Sequence, residues 1–64
     1  MKLDHEERLN KEFTQLREKI AKLESFISSK KLDNVTRIQR SLLIVQLDAM
    51  NTYATCLYER IQNL

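Results

Sequence analysis

The 64 residues contain no glycine and no proline. Hairpin loops, left-handed helix caps and tight turns depend on those two residues, so a β-sheet lacks its turn chemistry here and long uninterrupted helices remain. A composition of 42% apolar and 31% charged residues fits such helices.

A chain this short buries little apolar surface by itself and usually needs disulfides, a metal or association to be stable. Cys56 is the single cysteine, so an intrachain disulfide cannot form. With no C-x-x-C or Cys/His ligand set, no metal site is expected either. Self-association is the device that remains. The net charge of +2 is too small to demand a nucleic-acid or membrane partner, although residues 30–40 hold four basic side chains and one acidic. The first sixteen residues carry charges throughout, and no apolar run approaches the ~18 residues that span a bilayer. A cytoplasmic protein with a reduced thiol and no cofactor is expected.

Asp4 followed by Glu7 reads as a capping-box-like start. The first helix is expected over about 4–28, where Leu9, Phe13, Leu16, Ile20, Leu23 and Ile27 alternate spacings of four and three. That pattern is one apolar stripe. Other faces carry Asp4/Arg8, Glu7/Lys11 and Glu18/Lys22 pairs in the favourable order for a solvated surface. Ser28 to Asn34 breaks the phase, giving a turn at about 29–33 in which Asp33 or Asn34 can cap a second helix at about 34–63. So short a connection returns the chain antiparallel. The fold class is therefore all-α: one domain over 1–64, an antiparallel two-helix hairpin assembling into a homo-oligomeric bundle.

The second helix carries two apolar seams. One is Leu43, Leu47, Met50, Ala54, Leu57, Ile61 and Leu64; the other is Val35, Ile38, Leu42, Val45 and Ala49, completed by Thr52 and Cys56. At about 100° per residue the two lie more than ~100° apart, so a single partner helix cannot cover both. The first seam is assigned to the first helix, and Val35, Ile38, Leu42, Val45, Ala49 and Cys56 to an interface between subunits. Between the seams runs Gln39, Gln46, Tyr53 and Arg60, spaced by seven, which belongs in a corner where three helices meet. Arg37, Asp48, Asn51, Thr55, Glu59 and Gln62 read as the solvent face.

Catalysis needs a constellation of groups, and His5 stands alone in the first turn with no phosphate-cradling loop, so no enzyme is expected. Cys56 reads as a small buried hydrophobe and Met50 as core filler. Lys30, Lys31, Arg37 and Arg40 make an anion-attracting end of the hairpin. The candidate ligand-binding residues are Tyr53, Arg60, Gln46, Lys30, Lys31 and Arg37: an aromatic face for a base, an amide, and cations for phosphate.

The stretch Lys22 to Ser28, KLESFIS, together with Gln46 to Tyr53, QLDAMNTY, and Leu57 to Ile61, LYERI, resembles small bacteriophage hairpin proteins, including those of crAss-like phages. That group is similar to the hairpin domain of the anti-CBASS and anti-Thoeris sponges. The resemblance implies a phage-encoded oligomer, typically a hexamer, acting in the bacterial host cytoplasm. It would sequester a cyclic dinucleotide, cyclic trinucleotide or cyclic ADP-ribose-type immune signal without degrading it. Two other functions are compatible with the same seams: a structural coiled-coil module docking a protein partner, and RNA binding by a dimeric hairpin in the manner of plasmid copy-number regulators.

Overall fold

A computed structural model describes residues 4–64. It holds two α-helices, α1 (Asp4–Ile27) and α2 (Arg37–Gln62), joined by a 3-10 turn at Lys30–Asn34. Asp4, Glu6 and Glu7 occupy the first turn of α1, where the unpaired N–H groups favour negative charge. Asp4 is itself helical, so it acts there through its charge and is not the cap of the expected capping box.

No described residue has a positive φ, so α1 must end without the left-handed cap that glycine provides. Ser29 supplies the stop. Its Oγ donates to the Phe26 carbonyl at 2.7 Å and accepts from the Lys31 N–H at 3.2 Å. One hydroxyl thus closes α1 and opens the 3-10 turn.

The start of α2 differs from the sequence expectation. Neither Asp33 nor Asn34 caps it, because both are used in the 3-10 turn. Thr36 is the cap, its Oγ1 accepting from the Gln39 N–H at 3.2 Å, and α2 begins at Arg37 rather than at about 34. Arg40 reaches back to the carbonyls the turn leaves free, with Nε 3.0 Å from the Val35 oxygen and a terminal nitrogen 3.3 Å from that of Asp33. Val35 is extended (φ −101°, ψ 137°) and precedes the helix. It is half-buried and does not belong to the helical seam to which periodicity assigned it.

The helices run antiparallel, since Phe13 near the start of α1 meets Tyr58 near the end of α2, while Glu24 shares a groove with Asn51. Leu9, Leu16 and Ile20 pack with Ala54 and the fully buried Leu57, and Phe13, Leu47, Met50 and Ile61 surround them. This is the first seam of α2, covered by α1. The buried core stops short of the turn, where Leu23, Ile27, Leu32 and Leu43 are only half-buried.

The second seam has no cover within the hairpin. Ile38 is 72%, Leu42 54% and Val45 61% exposed. Ala49, Thr52 and Cys56 are exposed as well, so Cys56 is not buried by its own chain. The result is a rod of 49 × 15 × 13 Å with a radius of gyration of 14.8 Å. A compact domain of this length would have about 11 Å.

Candidate ligand-binding site

An open groove of about 470 Å³ runs along one side of the helix pair. Its floor is Ile20, Ala21 and Ala54, where two alanines leave room above the helix contact. At one end the rings of Phe13 and Tyr58 sit 6.1 Å apart, tilted by 46°. The Arg17 guanidinium lies 5.8 Å from the Phe13 ring centre, held one turn along the same helix face. Asn51, Thr55 and Glu24 contribute polar edges. The Thr55 hydroxyl donates to the Asn51 carbonyl at 3.1 Å, which leaves its lone pairs as acceptors.

The groove combines a stacking surface, a fixed cation and hydrogen-bonding groups in a volume within the roughly 300–1,000 Å³ range of small-molecule sites. Glu24 stands seven residues beyond Arg17, two helical turns and roughly 10 Å away, so positive and negative ends are separated along the axis. Such an arrangement can hold a planar ring bearing an anionic group. Among the described residues, no cluster of His, Cys, Asp or Glu could hold a metal ion, and no helix is long and apolar enough to cross a membrane.

The residues singled out by sequence lie elsewhere. Gln39, Gln46, Tyr53 and Arg60 line the opposite side of α2 and are exposed, Tyr53 at 45%. Gln46 Nε2 approaches the Met50 sulfur at 4.0 Å. Lys30, Lys31 and Arg37 are exposed at the turn. Arg37 and Tyr53 are sixteen residues apart on α2, roughly 24 Å, so the hairpin does not bring the turn cations and Tyr53 into one site. Periodicity missed the groove because it placed Asn51 and Thr55 on the solvent face and left Tyr58 unassigned. The usable signal was the Phe13/Arg17 spacing of four opposite the edge formed by Asn51, Thr55 and Tyr58.

No solved structure matches this chain. A 7.5 kDa protein from the denB-rIIB intergenic region of Enterobacteria phage T4 is 37% identical over 59 residues, covering 92% of each chain. The Sequestin family matches residues 3–63. Nearly the whole hairpin is thus shared, both helices and the turn between them, and this chain belongs to the Sequestin family.

Proposed function

We propose that the protein is a phage anti-defence sponge: an oligomer of helical hairpins that binds a cyclic nucleotide immune signal in the host cytoplasm and withholds it without catalysis. The observation that carries this reading is the uncovered second seam of α2, taken with membership of a family whose name speaks of sequestration. A monomer of 7.6 kDa should expose about 4,300 Å² by the surface scaling of compact proteins. The hairpin exposes 5356 Å². The excess is on the order of 1,000 Å², comparable to the ~800 Å² each partner contributes to a specific interface.

A shared site follows from that association. One thin hairpin cannot enclose a ligand of nucleotide size, whereas the row of Gln39, Gln46, Tyr53 and Arg60, flanking the seam, becomes a cleft once another helix stands beside it. There Tyr53 stacks on a base, Gln46 reads its edge, and Arg60 or Lys30, Lys31 and Arg37 of neighbouring copies hold phosphate. Stoichiometric capture neutralises a messenger, so no bond needs to be broken.

The test is a melting-temperature screen against cyclic dinucleotides, cyclic trinucleotides and cyclic ADP-ribose isomers. A ligand at one hundred times its Kd stabilises by about 2.7 kcal/mol, and each kcal/mol shifts the melting point of a small domain by roughly 4–8 °C. A rise of about 10 °C or more is expected for one ligand class. A flat response across the panel contradicts the sponge and leaves the protein-docking module in its place.

A further inference from the structure

The second seam is graded in size along α2. Its turn-side half is bulky, with Ile38, Leu42 and Val45 all more than half exposed. Its C-terminal half is small, with Ala49, Thr52 and Cys56. Two copies pairing in parallel would set bulky residues on bulky ones at one end and small on small at the other, crowding one end and leaving voids in the other. Interiors tolerate neither.

Antiparallel pairing resolves the mismatch. We infer that α2 packs against α2 of a second copy in an antiparallel, two-fold register that opposes Ile38 to Cys56, Leu42 to Thr52 and Val45 to Ala49. This is the register in which every bulky member of the seam meets a small one and all six positions are used. The spacings of four and three suit it, since layers of an antiparallel helix pair join residues from alternate positions of the two seams. The isologous two-fold also closes on itself, so the apolar strip is consumed without opening a route to fibres.

The pairing also completes the ligand site, and in this respect it rests on the sponge reading. The polar row lies on one flank of the seam, and a two-fold across the helix pair keeps that flank on the same side in both copies. Gln39 of one copy then stands about 3 Å along the axis from Tyr53 of the other, within side-chain reach, and the two Gln46 side chains are offset by the same small step across the two-fold. An aromatic ring and a carboxamide from different chains thereby share one edge, suited to a nucleobase with a donor and an acceptor on adjacent atoms. The Phe13/Tyr58 groove lies roughly 150° around α2 from the seam, counting 100° per residue, so it stays open when the copies pair.

The native cysteine makes the register measurable. Along an antiparallel pair the two Cys56 residues are roughly 27 Å apart, beyond disulfide reach, whereas in parallel they are neighbours. Position 38 is exposed, so Ile38→Cys leaves the hairpin core intact, and helicity by circular dichroism verifies it. Treated with diamide, which takes up the two protons and two electrons released as each disulfide forms, Ile38→Cys should become a doubly bridged covalent dimer. Within one chain residues 38 and 56 are too far apart on α2 to bridge. The unmodified protein should stay uncrosslinked under the same conditions. Crosslinking of the unmodified protein through Cys56, or an oligomer in which Ile38→Cys fails to bridge, overturns the register and leaves self-association standing. A sedimenting mass of one chain overturns both.

Discussion

The rings of Phe13 and Tyr58, 6.1 Å apart and tilted by 46°, join α1 to α2 at the rim of the groove. The Arg17 guanidinium is drawn to the Phe13 face. Tilted aromatic pairs contribute about 0.5–1.5 kcal/mol beyond the area they bury. A double-mutant cycle of Phe13→Leu and Tyr58→Leu, followed by urea denaturation, should therefore return a coupling energy in that range. Strict additivity would mean the rings touch without interacting.

Leu57 has no exposed surface and sits at the centre of the small core. Truncation to alanine removes buried methyl groups and leaves a cavity, which costs about 2–5 kcal/mol. A domain of this size has little more than that to lose. Loss of helicity at 25 °C in Leu57→Ala is the expected result, checked by circular dichroism; Leu64→Ala, at an exposed end of the same seam, should retain its fold.

Thr36 caps α2 through its hydroxyl. Thr36→Ala should lower stability by about 1 kcal/mol, and Asn34→Ala by a few tenths at most. The reverse order in thermal melts would restore the cap to the position first read from sequence.

Two sites compete for the ligand within the sponge reading, and two substitutions separate them. Tyr53→Ala should abolish the ligand-induced rise in melting temperature if the intersubunit row is used, while Arg17→Ala should leave it intact. The opposite outcome transfers the site to the Phe13/Tyr58 groove. Both side chains are well exposed, so neither change should disturb folding.

Much of the hairpin was legible because apolar spacing is a direct record of which helix face is dry. Leu9, Leu16 and Ile20 and the partnered Ala54 and Leu57 fall where the four-and-three alternation puts them. The turn was not legible to the same degree. A helix stopped by a serine hydroxyl and restarted by Thr36 leaves no glycine or proline as a marker, and Asp33 and Asn34 offer the same capping chemistry as Thr36. The groove was hidden for another reason. It depends on two alanines from different helices lining one groove and on a cross-helix aromatic pair, relationships between helices that periodicity within one helix does not encode.

Sedimentation equilibrium at micromolar concentration bears most directly on the proposed assembly. The predicted mass is an integral multiple of 7.6 kDa, falling toward one chain when Leu42 and Val45 are both replaced by lysine. A fully helical, monodisperse particle of a single chain would show that Ile38, Leu42 and Val45 can face water without a partner, and the shared ligand site would have no walls.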